Sequence, residues 1–407
     1  MKERIISAVA AILALALTVG CSENGVNDAD IIIGGAEHTA LSPIEVTSDN
    51  VQNSIRVFDA VTADKKNSMF SPLSLNMALG LLAEGAEGGS KEALNRYLGT
   101  DDYGAFAESY MKVVKEKYDV NSGLDGENKN VFELANSFWA DKNTAFKEEY
   151  KSDITRKFGA EVRNLDFGDK NGTIKEINGW VKEKTRKMIP SIIADYPDDL
   201  KAVLINTIYF ESRWNDEWNI DKNSKETFTL LDGSVKELPL MRKHVSGYYE
   251  NDAATAFRYG YRNGLDFIGI LPKQTGDFTI ESLDIPSLLE NETFDYDVYA
   301  KMPRLKFETS LPLSDALSEA GLSELFNADN ADLSGISDDV LYVTDVLQKT
   351  SLELDEYGTR AAAVTEFLVG AALPREERHV DLDRPFAFMI YDREEKQIVF
   401  LGKVTEP

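Results

Sequence analysis

The sequence predicts an α+β fold organised as one large domain, and three observations carry that prediction. Apolar residues at helical spacing crowd the first half of the chain. β-Branched and aromatic runs dominate the second half, and no Pro/Gly/Ser-rich linker or internal repeat interrupts residues 48–407. The regular strand–helix alternation of a parallel α/β sheet is missing. With 407 residues and 43% hydrophobic content, the chain can bury a substantial core.

Taken in order, the chain begins with a positive start at Lys2 and Arg4. An apolar run from Ile5 to Leu17, broken only by Ser7, leads to the small residue Gly20 before Cys21. Residues 1–20 read as an export signal, because the run falls short of the roughly 20 apolar residues of a spanning helix. Leu17-Thr18-Val19-Gly20-Cys21 resembles the bacterial lipoprotein cleavage box, in which the cysteine acquires lipid. That resemblance implies export and anchoring to a membrane through lipid on Cys21, at the outer membrane or cell surface. An ordinary signal peptide with a stray cysteine would give a periplasmic or secreted protein instead. Cys21 is the sole cysteine, so no intramolecular disulfide can form and stability must come from packing. Residues 21–47 are small, polar and acidic, as expected of a flexible tether.

Order is expected from residue 48. Val51, Ile55, Phe58 and Val61 recur at spacings of four, three and three, placing them on one helical face. Leu73, Leu75, Met77, Leu79, Leu81 and Leu82 are apolar nearly all round, which predicts a helix deep inside the domain. Amphipathic stretches follow at Lys91–Leu98, Ala105–Tyr118 and Ile174–Met188. Val203–Phe210 is too continuously apolar for a one-sided sheet and predicts a strand covered on both faces. Further strands are predicted at Phe267–Leu271, Leu341–Leu347, Pro385–Tyr391 and Gln397–Val404.

The formal charge of −26 disfavours nucleic acid and bare anionic membrane as partners. Enzymatic motifs are absent: no Gly-x-Ser-x-Gly elbow, no phosphate-binding Gly-x-x-x-x-Gly-Lys, no His-Glu-x-x-His and no Cys/His metal spacing. The three histidines, His38, His244 and His379, read most simply as surface or hydrogen-bonded residues. The acidic runs Asp198-Asp199 and Asp338-Asp339 read as solvated loops. Neither a cofactor nor a metal is expected.

The informative stretch runs from Asp355 to Pro374. On one parity Thr359, Ala361, Ala363, Thr365, Phe367 and Val369 carry no charge, whereas Arg360 and Glu366 fall on the other. In a strand, one parity could therefore be buried while the other faces solvent. Small residues at the start suit a segment that must pass between two strands still close together, because a bulky or charged inward residue would stall entry. Alternation alone also fits a fixed edge strand or an Ala-rich loop.

Several separate motifs, in order, resemble the serpin family. They are Asn67-Ser68-Met69-Phe70-Ser71-Pro72-Leu73-Ser74 with the Leu-rich helix and Gly85-Ala86; Val203–Phe210 with Trp214; Met302-Pro303-Arg304-Leu305-Lys306-Phe307; Asp383-Arg384-Pro385-Phe386; and the ending Leu401–Pro407. The resemblance covers about residues 48–407. It implies one α+β domain with three β-sheets, surrounding helices and an exposed reactive loop at about 356–378. It also implies that a target protease acylates itself on the loop and is trapped when the cleaved loop inserts into the central sheet, so that the protein is an inhibitor, a monomer, and not an enzyme. The hinge is then Glu356, Gly358, Thr359, Arg360, Ala361, Ala362, Ala363, Val364 and Thr365. Gly358 can supply unusual backbone angles where strand becomes loop. Counting the family's usual hinge length from Glu356 places the reactive bond between Ala372 and Leu373. Val369, Gly370 and Ala371 precede it, which suits an elastase-like protease with a small primary pocket. Arg375 and Arg378 offer a trypsin-like alternative if the loop runs longer, a subtilisin-like target is a further one, and a non-inhibitory binding member is the competing class.

The resemblance further assigns Ser71, Ser74, Asn206, Trp214 and Gln348 to the region where the sheet opens. Gln348 stands where similar serpins have a histidine that meets the counterparts of Ser71, Ser74 and Asn206; a glutamine amide both donates and accepts, so a rewired network is expected. Arg360 stands where inhibitory members usually have glutamate; its parity points it to solvent, so insertion is expected to survive.

Overall fold

Val51, Ile55, Phe58 and Val61 do share one buried face, that of the helix Ser48–Thr62 (α1), where Ile55 and Phe58 are almost fully enclosed. The computed structural model describes residues 48–118, 130–196, 200, 202–245, 247–359 and 375–407. The export signal, Cys21, the tether with His38, the pair Asp198-Asp199, the segment Arg360, Ala361, Ala362, Ala363, Val364 and Thr365, and the bond Ala372–Leu373 lie outside the described residues.

After the short strand Asn67–Phe70 (β1), Ser71 caps the helix Pro72–Ala83 (α2). The Ser71 hydroxyl accepts from the Ser74 N–H at 3.1 Å, and proline opens the first turn, where its missing N–H costs nothing. Every residue of α2 is buried, as its uniform apolarity predicts. The amphipathic stretches become Gly88–Leu98 (α3) and Tyr103–Val113 (α4), the latter continued by a π-helical turn at Val114–Tyr118.

Strands Val131–Asp141 (β2) and Ala202–Arg213 (β4) form a long antiparallel pair from Val131↔Glu211 to Ala140↔Ala202. Between them come the helix Glu148–Phe158 (α5), the strand Glu161–Leu165 (β3) and the helix Lys170–Lys184 (α6). β4 is covered on both faces: Ile208 and Phe210 join the main core, while Val203 and Ile205 join a smaller cluster with Trp139, Trp180, Ile177 and Val181 beneath α6. α6 ends four residues before the predicted Met188. There the Thr185 hydroxyl donates to the Val181 carbonyl and accepts from the Ile189 N–H, and Arg186 and Lys187 take positive φ values of 48° and 71°.

The strand predicted at Leu341–Leu347 is displaced. Residues 341–346 are irregular, because Val343 N–H bonds to the Leu325 carbonyl and Val346 N–H to the Ser314 hydroxyl and Asp345 carboxylate. The strand starts at Leu347 and runs to Asp355.

Numbering the strands onward in chain order gives Asn219–Ile220 (β5), Glu226–Thr229 (β6), Val235–Leu238 (β7), Leu240–Val245 (β8), Gly247–Glu250 (β9), Ala254–Gly260 (β10) and Asp266–Pro272 (β11). Then follow Glu292–Thr293 (β12), Tyr296–Pro303 (β13), Leu305–Pro312 (β14), Leu347–Asp355 (β15), Gly358–Thr359 (β16), Glu376–Asp381 (β17), Phe386–Asp392 (β18) and Gln397–Val404 (β19). Three principal sheets result. The central one has the order β14-β15-β16-β4-β2-β3, the second β1-β19-β18-β11-β10-β9-β12, and the third β17-β13-β8-β5; β6 and β7 make a separate hairpin. All described residues fall within one compact unit, Pro43–Pro407.

Candidate functional site

Parity assigns the residues after Asp355 to alternating faces, and the first of them obey it. β16 pairs on both sides, Thr359 with Leu354 and with Ser212, and Gly358 with Asp355 and with Arg213. Thr359 points inward, is buried, and its hydroxyl lies 2.9 Å from the buried Tyr261 hydroxyl. Burial pushes the Tyr261 phenol well up, so it stays neutral and serves as a hydrogen-bonding group.

Beyond these two residues the seam is open. Among the described residues, no ladder joins the rest of β4 to the rest of β15, although the two strands face one another in the same sheet. A small cavity fills the space, lined by Ile208, Tyr209 and Phe210 on one side and Ser351, Leu352 and Thr359 on the other. Met188 and Ile189, from the turn after α6, also line it.

The entry point is fixed by aromatic side chains and backbone bonds. Trp214 is fully buried and stacks on Tyr261 at 4.3 Å, while its indole N–H donates to the Asp355 carbonyl at 2.9 Å. Its backbone N–H donates to the Tyr357 carbonyl, and the Trp218 N–H to the Glu356 carbonyl. Gly358 has φ of 147°, and a Cβ there would lie 2.4 Å from the Ser212 carbonyl oxygen. Only glycine meets both demands.

Glu356 anchors the same turn. Arg304 grips its carboxylate with two nitrogens, Nε at 2.7 Å, and Lys222 Nζ lies 3.3 Å away. Burial pushes the Glu356 carboxyl up, but the hydrogen bonds from Arg304 and Lys222 outweigh it and hold the group below its ordinary range. Asp355, beside it, is raised by burial.

At the other end of β15 the opening region is wired through the backbone of Ser71. Gln348 is buried and pairs with the Ser71 backbone: its Oε1 accepts from Ser71 N–H at 2.6 Å and its Nε2 donates to the Ser71 carbonyl at 3.0 Å. A side-chain amide thus stands in for a strand. Gln348 does not bond to Ser74, which is tied to the Ser71 hydroxyl, nor to Asn206, which donates to Asn136 at 2.5 Å. Asn206 Oδ1 is left without a hydrogen-bond partner among the described residues. The glutamine is turned toward both backbone groups of one residue, which spends one acceptor site and one donor of its amide on Ser71. The stitch continues through Thr350, whose hydroxyl donates to the Met69 carbonyl, and Thr309, whose hydroxyl accepts from Met69 N–H.

The alternative trypsin-type baits are also placed. Arg378 stands inside β17, paired with Val298 and stacked over the Tyr296 ring at 4.2 Å, in a strand of the third sheet. Arg375 donates to the Phe294 carbonyl just ahead of the strand. Sequence reading missed Arg304, Lys222, Trp218, Tyr261, Thr309 and Thr350. The last two had a legible signal, threonines on the inward parity of strands, but their backbone partners are remote in sequence.

Two predictions follow from this wiring. A depressed folded-state value for Glu356 adds stability above the ordinary glutamate value of about 4.3. That stability is lost as pH falls through the folded value. The melting temperature of the protein should therefore exceed that of Glu356→Gln at neutral pH, with the gap closing on acidification below about 4.3. Gln348→Ala leaves the buried Ser71 N–H unpaired, costing about 1–3 kcal/mol; thermal unfolding should read this as a drop of a few degrees, with Gln348→Leu failing to restore it because its side chain can neither donate nor accept.

Residues 48–407 match the family model described as Serpin (serine protease inhibitor). A serpin-like protein of Methanosarcina acetivorans is 31% identical, covering 92% of this chain and 93% of its own. Leukocyte elastase inhibitor A of Mus musculus is 28% identical over 89% of this chain and all of its own. Among solved structures, the thermophilic serpin tengpin in its native state aligns with a TM-score of 0.77 at 28% identity, covering 90% of this chain and 96% of that one. Its latent state gives 0.71, so the described fold is nearer to the native arrangement.

Proposed function

The chain belongs to the serpin family, and from that premise we propose that it is a suicide-substrate inhibitor of serine proteases, with elastase-like enzymes as targets. The observation that carries this reading is the seam, with Gly358 and Thr359 already laid between its two strands. A protease serine attacks the Ala372 carbonyl; the bond to Leu373 breaks, the new amine leaves with a proton, and the acyl group stays on the enzyme as an ester. Residues from Arg360 onward, freed at that end, extend the strand that Thr359 begins and pull the enzyme with them.

The driving force is hydrogen bonding on two edges at once. Roughly a dozen net bonds at about 0.5–1.5 kcal/mol each give on the order of 10 kcal/mol. The uncut fold is then a kinetic trap above a more stable state. Small residues at Ala361, Ala362 and Ala363 favour rapid entry, which has to outrun hydrolysis of the ester. Elastase preference is supported by Ala372 with its small neighbours, and by a relative named for elastase inhibition.

Mixing the purified protein with pancreatic elastase, trypsin and subtilisin, followed by denaturing gels and mass spectrometry, tests the reading. A covalent elastase adduct and a released peptide starting at Leu373 are expected, and Ala372→Arg should shift inhibition toward trypsin. Cleaved chain without adduct for all three enzymes would remove the inhibitory reading. Loop cleavage should also raise the melting temperature.

We place the protein outside the cytoplasm as a lipoprotein anchored through Cys21, on the strength of its first twenty-one residues. Cells grown in labelled palmitate should label it, and Cys21→Ala should not label; equal labelling of the two would eliminate this anchor.

A further inference from the structure

We propose that a row of three rings on the outer face of the third sheet, His244, Tyr299 and His379, is a second contact surface for the protease that attacks the loop. It would receive a lysine or arginine from that protease's rim. The proposal rests on the inhibitory reading above.

The row is set by register. Tyr299 on β13 faces His244 on β8 and His379 on β17, with ring centroids 5.2 and 5.4 Å apart and the second pair stacked at 21°. Strand alternation buries Val298 and Ala300 on the other face and turns the row outward, where Tyr299 is 39% exposed and both histidine side chains are 58% exposed. These are the two histidines of the described residues, and loop insertion uses neither.

Charge along the row is lopsided. On one side Asp297 and Glu377 are register partners; their carboxylates lie 3.6 and 3.9 Å from His244 and His379, and no lysine or arginine pairs with either among the described residues. On the other side the cations are already matched: Lys301 with Asp381 at 2.9 Å and Arg242 with Glu226 at 2.6 Å. Three π faces edged by two carboxylates suit a guanidinium or ammonium group, which can stack on a ring and pair with an acid. A formal charge of −26 draws a basic partner in from a distance. A metal is a poorer occupant, since no three ligating side chains converge among the described residues.

Reach identifies the partner. Glu376 opens β17, so a bond at 372–373 lies within about 14 Å of it at full extension. His379 is three residues further along the strand, about 10 Å. A trypsin-sized enzyme is roughly 45 Å across. An enzyme gripping that bond is therefore within reach of this face. Because the row lies on the third sheet and not on the segment that inserts into the central one, it acts at encounter and not in the insertion race.

The test is a rate measurement on the full protein with pancreatic elastase. Tyr299→Ala, and separately His244→Ala with His379→Ala, should lower the second-order association rate constant at low salt about 5- to 50-fold, while Tyr299→Phe keeps it. The stoichiometry of inhibition and melting temperature should not change. Asp297→Asn with Glu377→Gln should flatten the salt dependence. Association rates equal to the unmodified protein in all variants would overturn the proposal. If no covalent adduct forms, the inhibitory reading fails on its own. The row is then read with elastase whose catalytic serine is alanine: weaker non-covalent binding of Tyr299→Ala upholds it, and equal binding overturns it.

Discussion

The central sheet contains an interior edge that has not been given a partner, and the rest of the site is arranged around that fact. β4 and β15 are neighbours, yet their hydrogen bonding meets only through Gly358 and Thr359. Backbone groups inside a protein normally find partners, and an unpaired strand edge attracts another strand. The seam can persist only if the flanking structure stops it from closing. β15 is stitched by Thr350 to the backbone of β1, which belongs to the second sheet, and by Gln348 to Ser71 just after it. Sliding β15 sideways toward β4 would tear those bonds. On the other face, α6 packs over β2 and β4, and the turn that follows it carries Met188 and Ile189 to the cavity in the gap. The sheet is held apart by side chains, so a strand of the right length fits where a simple collapse does not.

Entry is controlled at the upper end by a different set of forces. Trp214, Tyr261 and Trp218 form a stacked aromatic block whose donors hold the carbonyls of Asp355, Glu356 and Tyr357. Arg304 and Lys222 fix the Glu356 side chain on the outside of the same turn. The turn is therefore rigid where the chain leaves β15, and Gly358 bends it back between the strands. Thr359, which begins the inserted strand, is paired on both edges with Leu354 and Ser212 and meets Tyr261 through its hydroxyl, so the seam is already started where entry begins.

Much of this was legible in residue patterns. Uniform apolarity along Leu73–Leu82 identified a buried helix, and the continuous run Val203–Phe210 identified a strand covered twice, because burial on all sides leaves no polar parity to see. The parity of Thr359 was readable for the same reason. Leu341–Leu347 misled because an apolar run looks alike whether its amides enter a ladder or, as here, cap a helical segment near Ser314. The Gln348 wiring was half legible: the resemblance placed it near Ser71, but which of several polar groups an amide chooses depends on distances that spacing does not contain. Arg304 lay in plain view within a recognised motif, and its partner Glu356 is 52 residues away. Long-range ion pairs leave no periodic trace. Arg378 stays open as an alternative bait in the sequence because a cleavage-site chemistry is visible there and a parallel pairing with β13 is not.

The four tryptophans of the chain fall into two couples, Trp214 with Trp218 at the entry point and Trp139 on β2 with Trp180 on α6, each with rings 6.1 Å apart. One couple touches the turn from which the inserting strand starts, and the other joins α6 to the central sheet. The molecule thus carries its own optical gauge: ultraviolet emission can time the two ends of the transition separately, by retaining one couple at a time, without attaching a dye to the loop.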